Sequence, residues 1–114
     1  MNWTPEKLER FWKKCGAYPD DNRGYWRITT GRFIGYPNGT WDNPIEINLE
    51  TLLDVLKKLV KERGYNDGTV IRLELDSIGT FVKIPRLDIE TQYFDTEKES
   101  VVSAICALIG LEEK

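Results

Sequence analysis

Histidine is absent from the 114 residues, and that absence excludes a good deal of chemistry. Serine–histidine and cysteine–histidine catalysis both use an imidazole as the base. Histidine-ligated zinc goes with it, and the only two cysteines, Cys15 and Cys106, cannot complete a structural zinc site. Both cysteines fall inside helix-like apolar patterns and are expected to be small buried hydrophobes rather than a disulfide. Long apolar runs are also missing. Nothing approaches the ~18 residues of a membrane span, and the start "MNWTPEKLERF" lacks the apolar region of a secretory leader. A cytoplasmic protein without membrane contact is the expectation. A dominant charge is missing too: 16 basic and 19 acidic groups leave a net charge of -3. Residues 1–48 carry 7 basic and 6 acidic groups (+1), and residues 49–114 carry 9 and 13 (-4). Neither half has the basic footprint that binding to a phosphate backbone requires, so nucleic acid is not an expected partner.

What is present suffices for one domain. With 40% hydrophobic residues, a chain of this length can build a core without crosslinks, which become usual only below ~40 residues. Helix signals occur three times. In "WTPEKLERFWKKCG", Thr4 is placed to cap, Pro5 suits the first helical position and Gly16 the end. Trp3 and Leu8 stand at staple positions, and Leu8, Phe11, Trp12 and Cys15 form one stripe. In "NLETLLDVLKKLVKERG", Asn48 is the cap and Leu49, Leu52, Leu53, Leu56, Leu59 and Val60 form the apolar face. Lys57, Lys58, Lys61 and Arg63 sit where cations meet the negative end of the helix dipole, and Gly64 closes the helix. In "TEKESVVSAICALIG", Thr96 and Glu99 match a capping box and Gly110 is the stop. Val101, Val102, Ile105, Cys106, Leu108 and Ile109 supply its buried face.

Between the second and third helices, "TVIRLELDSIGTFVKIPRLDIETQYF" reads as strands. Ile71, Leu73 and Leu75 alternate with Arg72, Glu74 and Asp76, the pattern of a half-buried strand. "DSIG" is a turn and "TFVKI" the returning strand, which Pro85 ends. "DIETQYF" supplies a third strand, and the short connections favour an antiparallel meander. Nearer the N-terminus, "YWRIT" and "RFIGY" flank a turn and read as a small hairpin, and residues 37–47 link it onward. The expected fold is α+β: a helix and small β-hairpin (1–41), then an α-β-β-β-α unit (48–114) with its antiparallel sheet packed on helices, all in one sandwich-like domain. The expected core holds Leu53, Leu56, Leu73, Leu75, Val102, Ile105 and Ile109. The α-β-β-β-α order is also that of double-stranded-RNA-binding domains, but order alone does not license function.

Five pieces of the chain resemble small proteins of the phage ABA sandwich domain family: "WTPEKLERFWKKCG", the hairpin around "GYWRI", "IEINLETLLDVLKKL", the charged meander and "ESVVSAICALIG". The resemblance implies a phage or prophage origin, an α+β fold, a location in the host cytoplasm and no assigned chemistry. It offers no catalytic residues to carry over.

The candidate site lies in the hairpin. Tyr25, Trp26, Phe33, Tyr36 and Trp41 could form a stacking surface, with Arg23, Arg27 and Arg32 available for phosphates or carboxylates. A two-stranded ribbon is only marginally stable alone and needs aromatics to pin it to the first helix. Period two puts Trp26 and Ile28 on the inward face, against Phe11 and Trp12. Tyr25, Arg27, Tyr36 and Trp41 are left as the candidate binding residues. Carboxylates are scattered: Asp20, Asp21 and Asp67 read as turn residues, and Glu74 and Asp76 as a surface network with Arg72 or Lys83. No catalytic residue, metal site or cofactor is expected. Three functions fit in descending order: a binding protein that blocks a host defence protein, a sponge for a nucleotide-like signal, and a double-stranded-RNA binder. The last is opposed by Glu97 and Glu99 at the start of the third helix.

Overall fold

Thr4 does cap the first helix, α1 (Pro5–Lys14): its hydroxyl accepts the Lys7 N–H at 3.2 Å, with Pro5 at the first helical position. The computed structural model describes residues 2–20, 23–28, 31–63 and 69–111. The roles expected of Asp21, Gly64 and Asp67 fall outside them. Gly16, at φ 96°, ends α1, and the Ala17 N–H returns to the Trp12 carbonyl at 3.0 Å. Phe11, Trp12 and Cys15 are buried while Leu8 is half-buried, so the stripe forms as its spacing dictates. Trp3 meets Phe11 edge-on at 5.2 Å.

The hairpin expected next is a three-stranded sheet. Strands β2 (Trp26–Arg27) and β3 (Phe33–Gly35) pair antiparallel, and a further strand, β1 (Tyr18–Pro19), pairs with β2. A two-residue strand has no alternation to read, so its sequence carries no signal. Its proline is tolerated because β1 is an edge. Asn43 then caps a single 3-10 turn, Pro44–Glu46. Helix α2 (Leu49–Glu62) follows, with the Asn48 side chain accepting the Thr51 N–H at 3.1 Å.

The meander forms as expected: β4 (Arg72–Leu75), β5 (Thr80–Ile84) and β6 (Ile89–Glu90) make an antiparallel sheet in that order. Pro85 ends β5 by opening a 3-10 turn, and beyond β6 the chain still bridges Thr80 with Phe94. Helix α3 (Glu97–Ile109) packs on β5 and on α2. Thr96 caps it, accepting the Glu99 N–H at 3.2 Å and donating its hydroxyl to the Glu99 carboxylate at 2.9 Å. Ser100, Val101, Val102, Ala104, Ile105, Cys106 and Leu108 are all buried, so α3 is covered nearly all round and is the centre of the fold. One core joins α1, β3, α2, β5 and α3. The Lys14 ammonium donates to the Ile109 carbonyl at the end of α3, 3.3 Å away.

The expected core needs a correction at Leu75. Leu56, Val102 and Ile105 are buried, and Leu53, Leu73 and Ile109 pack partly against the core. Leu75 is 76% exposed. Alternation put it on the right face: it pairs with Thr80, which is buried against the first turn of α3. But β4 is the edge strand, and three of its four residues, Leu75 among them, are exposed. Period two assigns a face and not the extent of its cover. Asp76 is the second departure. It lies past β4 and closes the turn, accepting the Ile78 N–H at 2.8 Å and the Gly79 N–H at 3.3 Å. These bonds, the Ile78 one first, hold its carboxyl below the usual range. Lys83 pairs with Glu90 at 3.8 Å.

Candidate functional site

The N-terminal sheet sorts its side chains by pairing. Gly35 lies opposite Trp26 and also bridges to Trp41. A Cβ on Gly35 would come within 2.9 Å of both the Trp26 Cβ and the Trp41 ring, so these three share one face. Trp26 and Trp41 contact at 5.5 Å, and the Lys13 ammonium of α1 sits over the Trp26 ring at 4.9 Å. Ile28 and Ile34 are buried, and both tryptophans pack partly against the core. This is the inward face expected for Trp26 and Ile28, and Trp41 belongs to it.

The other three candidate residues come together on the opposite face. Arg27 lies opposite Phe33, and its guanidinium is 4.1 Å from that ring's centre. Tyr25 meets Phe33 at 5.0 Å and Tyr36 at 6.1 Å. Arg27 is further held by Asp20, 3.6 Å from its Nε, and by the Gly31 carbonyl, 3.2 Å from a terminal nitrogen. The Nε contact is longer than a hydrogen bond, so Asp20 acts on Arg27 through charge, and that buried Nε has no hydrogen-bond partner among the described residues. Asp20, read from sequence as a turn residue, is thus a holder of Arg27. Only the β1–β2 register, with Tyr18 across from Arg27, brings the two together.

Tyr36 is fixed from the loop side. Its hydroxyl donates to the Asp42 carboxylate at 3.1 Å, and the Asp42 carbonyl accepts the Trp12 indole N–H at 2.7 Å. Burial first, and then the bond to Asp42, push the Tyr36 phenol above its ordinary value, while the nearby Arg32 charge opposes. The "PNG" turn is closed by Gly39, at φ 86°, donating to the Tyr36 carbonyl at 2.9 Å, and by Asn38 accepting from Thr40. Arg23 and Arg32 are exposed. The result is a face of three rings and one stacked guanidinium, all half-buried, with its arginine and one tyrosine tied down.

Elsewhere, among the described residues, no group of three or more acidic or thiol side chains is placed to hold a metal ion. No helix among them is long and apolar enough to cross a membrane. Cys15 and Cys106 are both buried. Burial pushes the Cys15 thiol far up, the neighbouring Cys106 adds to this, and Lys58 opposes it.

Comparison with known proteins gives no matching family model, no matching curated protein and no matching solved structure. The family resemblance rests on the quoted segments alone.

Proposed function

We propose that the protein is a non-enzymatic binding protein that docks a partner protein on the outer face of its N-terminal sheet. One observation carries this reading. Tyr25 contacts both Phe33 and Tyr36, and Arg27 stacks on Phe33, while all four stand apart from the core that the inward face of the same sheet helps to build. Tyrosine and arginine are enriched in binding hot spots, and tyrosine supplies large contact area at a small cost in lost rotamers. The rotamer cost of Arg27 and Tyr36 is reduced here, since Asp20, Gly31 and Asp42 already hold them. The resemblance to phage proteins suggests the class of partner: a host defence protein, which the bound chain would block.

A nucleotide-like ligand fits this face less well. A base held between two rings needs them roughly parallel and about twice the ordinary ~3.5 Å contact distance apart. Tyr25 is instead inclined at 50° to Phe33 and at 76° to Tyr36, with the rings already in contact. One face of the Arg27 guanidinium is already taken by Phe33.

The test is affinity capture from host extract with the wild-type chain and with Tyr25→Ala and Arg32→Ala, each checked for an unchanged melting profile. Identification of the captured protein is followed by titration of the purified pair. The expected result is a loss of at least about tenfold in affinity for Tyr25→Ala, the scale of a hot spot, with Leu75→Lys on the other sheet binding as wild type. Full binding by Tyr25→Ala and Arg32→Ala, with loss in Leu75→Lys, would move the site to the second sheet and overturn the reading.

A further inference from the structure

The second sheet ends in an edge that is complementary to itself. Among the described residues β4 pairs only with β5, and in an antiparallel ladder alternate residues turn their N–H and C=O to opposite sides. The side each residue uses can be read from its neighbours. Thr80 exchanges hydrogen bonds with Phe94, and the Val82 carbonyl accepts the Thr91 N–H at 2.9 Å, so both residues point toward β6. Phe81 and Lys83 therefore point toward β4, where they meet Glu74 and Arg72. Leu73, between these two, and Ile71 and Leu75 on either side of them aim their backbone groups at the outer edge.

The side chains along this edge are unusual for a strand end facing water. Leu75 is 76% exposed, Val70 51% and Ile78, in the adjoining turn, 71%. Arg72 stands directly across from Lys83, whose ammonium is already paired with Glu90 on its other side.

We propose that β4 pairs with β4 of a second copy, antiparallel about a two-fold axis at Leu73, joining two sheets into one of six strands. The register follows from the residues. An axis through Arg72 or Glu74 would set that charge directly against its own copy, which leaves Ile71, Leu73 and Leu75. An axis at Leu75 sets Glu74 against Asp76, two carboxylates. An axis at Ile71 sets Arg72 against Val70. An axis at Leu73 sets Arg72 against Glu74 twice, by symmetry, and Ile71 against Leu75 twice, with Leu73 against its own copy. Charged pairs then share the outer face and apolar pairs the face that carries α3. The charged pairs fall at non-hydrogen-bonded positions, where side chains stand closest. Each exposed Leu75 gains an apolar neighbour, and each Arg72 gains a carboxylate of its own. This surface is separate from the N-terminal face, and the pairing stands or falls independently of the proposed function.

The experiment is sedimentation equilibrium of the full chain over a wide concentration range, for the wild type, Arg72→Glu, Glu74→Arg, the double exchange, and an equimolar mixture of the two single variants. Both positions are exposed, and circular dichroism and melting establish that each variant is folded. The wild type is expected to dimerise. Each single variant sets like charges opposite each other at two symmetric places and should weaken self-association by at least about tenfold, since like charges directly opposite destabilise a strand pair. The double exchange restores the pairing. So does the mixture, because one variant presents two carboxylates and the other two guanidinium groups. A wild type that stays monomeric throughout overturns the proposal, as do single variants that associate like the wild type or a mixture that fails to associate. A monomer whose β4 edge instead takes up a strand of another protein also overturns it, since the occupant would not be a second copy.

Discussion

Gly35→Ala tests the packing that separates the two faces of the N-terminal sheet. The new methyl group would lie 2.9 Å from the Trp26 Cβ and 2.9 Å from both Cε3 and Cζ3 of Trp41. Carbon atoms rest at about 3.5–4.0 Å, so three contacts are each too close by roughly half an ångström or more. The Trp26 Cβ is fixed to the β2 backbone and cannot withdraw by rotating about a side-chain bond. Trp41 can turn away only by giving up its 5.5 Å contact with Trp26 and part of its packing on the core. Inserting a methyl group into packing this close costs about 1–3 kcal/mol. Urea unfolding followed by far-ultraviolet circular dichroism measures the loss. A Trp41→Ala background removes two of the three clashes, so the cost of Gly35→Ala should shrink there, giving a coupling of about 0.5–3 kcal/mol as for residues in contact. A Gly35→Ala protein within about 0.5 kcal/mol of wild type, the range of ordinary surface changes, would refute the placement of Trp41 over Gly35. Additivity of the two substitutions would refute it as well.

Thr96→Ala removes the cap of α3 and should cost ~1 kcal/mol in the same assay, because the Glu99 N–H loses its acceptor. An unchanged midpoint would mean that the first turn of α3 is held by other contacts. The Cys15 thiol gives a pH dependence with a definite sign. Burial raises its folded value far above the ordinary 9.0, so above that pH the unfolded chain has released a proton that the folded chain keeps. Its contribution to stability is complete below pH 9.0 and declines above it, with a slope approaching about 1.4 kcal/mol per pH unit for one proton. Unfolding midpoints from pH 7 to 10.5, on the order of the thiol range, should fall more steeply for wild type than for Cys15→Ala; equal slopes would contradict the burial of Cys15. Duplex RNA should not be retained at physiological salt, since α3 opens with Glu97 and Glu99. Micromolar binding with a steep salt dependence would refute that electrostatic argument.

The elements that could be read from sequence are those whose signals are local. Thr4, Asn48 and Thr96 cap the helices they precede, each through a hydrogen bond to the third residue on. Pro85 ends β5 because it has no N–H to donate. Gly16 and Gly110 close α1 and α3 at φ 96° and 73°, a region that costs other residues energy. What could not be read depends on how far apart in sequence the partners lie. The strand β1 exists only through its pairing with β2, and that pairing alone brings Asp20 to Arg27.

Leu73 and Leu75 carry the same lesson into function. Alternation gives both residues one face, yet Leu73 packs against the core while Leu75 stands in water. The difference lies in what covers each position from outside the strand, which the strand's own residues do not encode. Trp41 and Tyr36 differ for a similar reason. Both are aromatics beside the same turn, and only the bridge from Gly35 to Trp41 turns one inward, while Asp42 ties the other to the outer face. Composition could therefore locate an aromatic, arginine-rich hairpin but could not divide it. The division is what has functional content, because a ring that packs on the core cannot be removed without a loss of stability, whereas a ring on the outer face can. If Tyr25→Ala lowers stability as much as Trp26→Ala, the outer rings are structural and the proposed docking face is lost. If Tyr25→Ala is the milder of the two by at least about 1 kcal/mol, a gap well beyond ordinary surface effects, its ring is free to serve a partner.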